Sequence, residues 1–229
     1  MTRPEFDRYA ESYAELHRDN IRITGEEPDY FARYKVRHAA RLAGTTLPVG
    51  RVLDFGCGTG NSTVFLPHYF PGCEIVGVDV SSACLDVARE RTGDGVSFRS
   101  VDGDRIPFDD GYFGLVLVSC VLHHVPRAEH DNVLREIRRV LAPDGLLTVY
   151  EHNPWNPLTA HAVRTCKFDE SAEMIAARPL KTAILRAGFR DAATHFIVFF
   201  PGFLRFLRWL EPLLAWLPLG AQYCVSARK

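Results

Sequence analysis

Three glycines at alternate positions carry the first chemical signal in this chain. In Val52-Leu-Asp-Phe-Gly-Cys-Gly-Thr-Gly-Asn61 a short apolar run enters a GxGxG turn, and a helical stretch opens behind it. Glycines without Cβ atoms let a ligand approach the backbone and tolerate positive φ. The amides at the start of the following helix favour a carboxylate or phosphate. Asp79 ends the next apolar run, 23 residues after Gly56, where a carboxylate can accept hydrogen bonds from two ribose hydroxyls. Asp102 ends the third run and is expected to point into the same crevice. A dinucleotide site wants GxGxxG. Here the third glycine comes one residue early and Asn61 stands in its place, which weighs against a pyrophosphate ligand.

A second group of reactive side chains follows the later runs. His123 and His124 come after the fourth, and Glu151 and His152 end the fifth. Histidine titrates near neutral pH and suits proton removal from an acceptor. One of His124 and His152 is expected to contact the acceptor; the plainer alternative gives His123 and His124 capping or packing roles. Cys57, packed between glycines, reads as a small filler and not as a nucleophile. His124, His130 and His152 lack an HxH or paired-carboxylate arrangement, so no metal is expected.

These residues need a scaffold that brings strand ends together. Val49–Asp54, Glu74–Asp79, Val96–Val101, Phe113–Cys120 and Leu146–Glu151 read as strands. The fourth is continuously apolar, as a strand covered on both faces should be. Ser62–Tyr69, Ser82–Arg91 and Arg127–Leu141 read as helices between them, with Ser81 or Ser82 as an N-cap and Pro143-Asp-Gly145 as a turn. Pro179–Gly188 is a further helix ended by its glycine. His195–Phe200 and Ala221–Arg228 are a sixth and a seventh strand. Alternating β and α with short connections implies a doubly wound, mostly parallel α/β sheet. The last two strands, joined without a full crossover helix, imply an antiparallel addition at one edge.

The chain has 229 residues, 47% of them hydrophobic and 24% charged, which suits a single domain with its own core. A net charge of -1 gives no basic excess, so nucleic acid is not the expected partner. The first twenty residues contain no apolar signal region. Six cysteines without a CxxC pair read as reduced thiols and a cytoplasmic location.

Taken in order, several of these segments resemble one family. Asp54-Phe-Gly-Cys-Gly-Thr-Gly60 looks like motif I of class I S-adenosylmethionine-dependent methyltransferases, and Val76-Gly-Val-Asp-Val-Ser81 resembles their second motif. Val101–Phe113 is similar to their "gDa..lPf.d..F" stretch, Ser119-Cys-Val-Leu-His-His-Val125 to their "LHHv", and Leu141-Ala-Pro-Asp-Gly145 to their "L.PGG" turn. Within the superfamily the match is nearest to the small-molecule group that includes ubiquinone and menaquinone methyltransferases. The resemblance implies a seven-stranded, Rossmann-like sheet with an antiparallel last strand. It divides the chain into a helical N-terminal lid (1–48), a cofactor-binding core (49–151), a cap insertion (152–179) and a C-terminal helix and strand pair (180–229).

The resemblance also implies roles. S-adenosyl-L-methionine is the expected cofactor. Gly56, Cys57 and Gly58 would carry its methionine part along the backbone, Asp79 would hold the ribose, and Val80 would lie against adenine. Asp102 and Gly103 would meet the adenine amino group, the Ser119 carbonyl would face the methionine ammonium, and an aromatic of the lid, Tyr13, would shield the sulfonium. Tyr9 and Tyr13 fit equally well as one apolar helix face. The family's "FD" at the start of strand four is Phe113-Gly114 here, which puts local packing in question.

Residues 199–219 are the remaining feature. Positions 203, 206, 207, 210, 214 and 217 are apolar at helical spacing, with Arg205, Arg208 and Glu211 as a narrow polar stripe. Three charges and three prolines exclude a transmembrane helix. Self-packing as a cap, contact with a membrane surface or a lipid-like acceptor, and a homodimer are all open at this point. The expected function is methyl transfer to oxygen or carbon of a small hydrophobic acceptor. The alternatives are a non-catalytic S-adenosylmethionine-binding module and an NAD(P)-dependent oxidoreductase.

Overall fold

The structure, a computed structural model, describes residues 7, 18, 20–21, 24–44, 49–101, 105–166 and 172–229. Helix α1 spans Pro28–Ala43, with a proline in its first turn and Gly44 at its end. It is followed by β1 (Arg51–Phe55), β2 (Glu74–Asp79), α2 (Ser82–Thr92), β3 (Ser97–Ser100) and β4 (Phe113–Ser119). Then come α3 (His130–Val140), β5 (Leu141–His152), α4 (Pro157–Thr165), α5 (Ala177–Arg186), β6 (Arg190–Ile197) and β7 (Gln222–Arg228).

The seven strands form one sheet in the order β3-β2-β1-β4-β5-β7-β6. Strands β1 to β5 are parallel, and β7 runs antiparallel to both β5 and β6. The antiparallel strand therefore lies one place in from the edge. Both faces are covered. Val116 and Val118 of β4 pack with Leu134 and Ile137 of α3. Their neighbours Leu115 and Leu117 point the other way and pack with Val36 and Ala39 of α1. This period-2 division is why β4 reads as unbroken apolar sequence. Strand order reverses between β1 and β4, and in such sheets ligands bind outside the carboxyl ends of the strands at that reversal.

Three expectations need correction. The stretch 62–69 is a 3₁₀ turn, Thr63–Phe65, followed by one α-helical turn, Leu66–Tyr69, because Gly60 and Asn61 are taken up by the loop and Pro67 interrupts the ladder. The sixth strand lies at Arg190–Ile197 and not at His195–Phe200. It ends because Val198 takes φ 60, a left-handed conformation costly for a β-branched residue. Phe199 and Phe200 are apolar because they line a cleft, not because they are paired in the sheet. The 202–210 stretch is a 3₁₀ helix with a non-helical Leu204, so its side chains repeat every three residues and the expected α-helical face is split.

At Gly114 the departure from the family pattern has a physical cause. A Cβ there would overlap the Val49 carbonyl oxygen, so the close approach of the chain before β1 requires glycine.

Candidate functional site

Five segments meet at the point where strand order reverses. Beyond β1, Gly56, Gly58 and Gly60 all take positive φ. Each has its own reason. A Cβ at Gly56 would come within 2.6 Å of the Val121 side chain, and one at Gly60 within 3.1 Å of Ala88 in α2, so Gly60 supplies close helix packing although it comes one residue early. A Cβ at Gly58 would meet only open space, the space of the cleft. Cys57 is buried and burial pushes its thiol well up, which fits a filler and not a nucleophile.

Asp79 ends β2 beside this loop. The Gly58 amide donates to its Oδ2 at 2.7 Å and the Ser81 amide to its Oδ1 at 2.9 Å. Burial raises its pKa while those two amides work against the rise. Each oxygen keeps a lone pair for a further donor, so the carboxylate is aimed and fixed before any ligand arrives. Val80 next to it is exposed, an apolar surface at the cleft rim. Ser81 caps α2 by accepting from the Cys84 amide at 3.1 Å, and its hydroxyl donates to Asp7 at 2.6 Å. Behind the loop Asp54 is buried and accepts from Thr63 Oγ1 at 2.6 Å; burial pushes its pKa up to about 7.

The opposite wall follows β4 and β5. Lys35 reaches down from α1 and donates to Ser119 Oγ at 3.0 Å and Cys120 Sγ at 3.2 Å. Cys120 sits at φ 58, a strained conformation for a residue with a Cβ. Burial pushes its thiol up, but the Lys35 ammonium and His152 outweigh burial and bring it down to about 6. Glu151 is buried: its Oε2 pairs with His123 Nδ1 at 2.5 Å and its Oε1 accepts from the Leu122 amide at 2.9 Å. Burial raises the Glu151 carboxyl, but His123, His152 and the Leu122 amide together outweigh burial, and the net shift is downward. Glu151 therefore clamps the loop after β4. His130 Nε2 holds the same loop by donating to the Leu122 and Val125 carbonyls, both at 2.9 Å.

All of these walls belong to one cleft of about 1010 Å³. It sits at the upper end of the roughly 300–1,000 Å³ usual for small-molecule sites, so it has room for two ligands side by side. Gly56, Cys57, Gly58, Asp79, Val80, Ser119, His124 and His152 all line it. Its lining also includes the apolar side chains of Val163, Val198, Phe199, Phe200 and Phe203. Tyr13, Asp102 and Gly103 lie outside the described residues, as do residues 8–17 of the segment expected to act as a lid.

Residues 52–145, from β1 into β5 and holding the glycine loop, Asp79 and Ser119, match the methyltransferase domain family. Over that stretch the chain is similar to methyltransferase domains. A demethylmenaquinone methyltransferase from Thermus thermophilus is 37% identical to it over 121 residues, 52% of this chain and 54% of the relative. A ubiquinone/menaquinone biosynthesis C-methyltransferase from Ectopseudomonas mendocina is 36% identical over 139 residues, 58% of this chain and 53% of the relative. The chain spans about half the length of these curated relatives. An S-adenosylmethionine-dependent methyltransferase structure from Archaeoglobus fulgidus shares the fold with a TM-score of 0.71 at 17% identity, over 95% of this chain and all of that one.

The geometry of the cleft suits S-adenosylmethionine, the cofactor that the resemblance implies. An aimed carboxylate at Asp79, an apolar rim at Val80 and an open side at Gly58 meet the needs of a ribose, a base and a close backbone approach. The sequence pointed to the carboxylate and the glycines but missed Cys120. Its signal was positional: Cys120 stands next to the end of β4, within reach of a lysine whose helix lies far away in sequence.

Proposed function

We propose that this chain transfers a methyl group to a small hydrophobic acceptor of the quinone class, seated against Phe199, Phe200 and Phe203. The observation that carries the reading is one continuous cleft lined both by Gly58, Asp79 and Val80 and by Phe199, Phe200 and Phe203. The name of the Ectopseudomonas mendocina relative, a C-methyltransferase of ubiquinone and menaquinone biosynthesis, supports carbon as the acceptor atom.

S-adenosylmethionine, when bound, supplies a methyl already activated on a sulfonium, so the protein has mainly to align and to manage a proton. Asp79 holds the ribose hydroxyls, Val80 packs on the adenine, and the Gly56–Gly58 backbone and Ser119 hold the methionine part. Asp102, Gly103 and Tyr13 complete this set as the resemblance assigns them. His124 and His152 face the acceptor, and one of them takes the proton it loses. Glu151 positions that wall through His123. The 152–179 segment acts as a cap, with Leu158, Thr159 and Val163 of α4 along the cleft.

The test is transfer of a labelled methyl from S-adenosylmethionine to a short-tailed demethylated naphthoquinol, with the product's new C–CH3 bond read by NMR. The reading predicts ring-carbon methylation that His124→Ala or His152→Ala slows strongly. Cofactor binding without transfer to any quinol or phenol would leave the binding-module alternative standing.

A further inference from the structure

The segment between Pro201 and Gly220 has its polarity reversed. Two of its three charged side chains turn inward: Glu211 is buried and accepts from the Phe199 amide at 3.0 Å, and Arg208 pairs with Glu26 at 2.5 Å while donating to the Phe200 carbonyl. Its large apolar side chains turn outward. Phe206 and Trp209 stand three residues apart, one turn of the 3₁₀ helix, and Phe203, Leu213, Trp216 and Leu219 are exposed with them. A soluble surface segment has the opposite arrangement.

The patch extends beyond this segment. Asn153 and Asn156 donate to the carbonyls of Pro218, Leu219 and Gly220, which fastens Trp155 and Leu158 beside it. The chain has three tryptophans, and all three lie here, 63%, 70% and 74% exposed at 155, 209 and 216. Scattered apolar residues on a surface need no explanation, but a contiguous patch of this kind does. The exposed ionic side chains within 153–166 and 202–220 are Arg164 and Arg205; no carboxylate is exposed there. Phe203 and Leu158 also line the cleft, so the patch adjoins it. No helix among the described residues is long and apolar enough to cross a membrane.

We propose that this face docks the protein on the interface of a bilayer containing anionic lipid, with the tryptophans at headgroup depth and Arg164 and Arg205 against the lipid charges. A lipid interface suits this composition: amphipathic indole rings, aliphatic side chains between them and cations without exposed acids. A protein partner would be expected to meet a polar rim with both signs of charge. The docked orientation brings the adjoining cleft to the acyl phase, a route by which a hydrophobic molecule could enter without crossing water. The docking itself does not depend on the proposed acceptor.

Because every tryptophan lies on this face, their emission reports docking directly. The experiment sediments the full chain with vesicles of phosphatidylcholine and phosphatidylglycerol, and with phosphatidylcholine alone, while recording tryptophan emission, sizing behaviour and S-adenosylhomocysteine binding. Co-sedimentation with the anionic vesicles, a blue shift, and weakening by salt are expected. The combined Phe206→Ser, Trp209→Ser and Trp216→Ser variant should lose roughly tenfold or more of this partitioning, with S-adenosylhomocysteine binding unchanged. Two results overturn the proposal: no partitioning into either vesicle while cofactor binding is intact, or a lipid-free dimer that the triple variant dissolves, which would make a second copy the occupant. Vesicle binding without methyl transfer would support this docking face and count only against the proposed reaction.

Discussion

The Lys35 ammonium and the Cys120 thiol meet at 3.2 Å where β4 opens into the cleft. Lys35 is 6% exposed, and a buried ammonium is stable only beside compensating charge or hydrogen bonds. Cys120 supplies that charge as a thiolate, which its pKa of about 6 allows at neutral pH.

The pair gives a pH prediction. The thiol falls from an ordinary 9.0 to about 6 on folding, so between these values the unfolded chain binds more protons. The pair's stabilisation is complete above 9.0 and is lost as pH falls through about 6. The pH profile of Cys120 alkylation should have its midpoint near 6 in the wild type. Lys35→Met should move that midpoint up toward 9.0. A midpoint unmoved by the substitution would remove Lys35 as the cause.

Asp54 works in the opposite direction. Burial raises it from 3.8 to about 7, so its stabilisation is complete below 3.8 and is lost as pH rises through about 7. Asp54→Asn should therefore raise Tm at pH 8 and leave it little changed at pH 4, as read by calorimetry at both values. A lower Tm at pH 8 would show that the ionised carboxylate is needed.

The buried pair His123 and Glu151 should be costly to break. Glu151→Ala removes the buried carboxylate that pairs with His123 and accepts from the Leu122 amide, a loss on the order of 3–5 kcal/mol. Chemical denaturation checks it. Glu151→Gln, which keeps an acceptor for the Leu122 amide, should lose less.

Gly114 tests the packing at the start of β4. Restoring the family's aspartate there forces a side chain into the Val49 carbonyl. Even Gly114→Ala should cost about 1–3 kcal/mol. A variant as stable as wild type in urea would mean that the chain before β1 can move aside.

Much of the fold was legible because β4 and its neighbours are buried on both faces and carry the resulting apolar pattern. Glu74–Asp79 was read with the bounds it has in the structure, since Pro71-Gly72 precedes it and Ser81 caps the next helix. Where one apolar stretch could serve two purposes, sequence could not separate them. Phe199 and Phe200 read as strand and instead line the cleft. Residues 203–217 read as an α-helical stripe, but Pro201, Pro212 and Pro218 favour tighter turns and the side chains redistribute. Local signals found Gly56, Gly58 and Asp79, because a glycine turn and a strand-ending acid are sequence features in themselves. The partnership of Lys35 with Cys120 arises only when α1 is laid across the sheet, so no spacing could reveal it.

The central claim is that the Gly58–Asp79 wall of the cleft holds the adenosyl part of the cofactor. Titration calorimetry of S-adenosylhomocysteine against wild type and Asp79→Ala tests it most directly. The account predicts saturable one-to-one binding to the wild type, weakened in the variant by roughly tenfold or more as hydrogen bonds to a charged group are lost. Equal affinity in the two proteins, both folded, would contradict it.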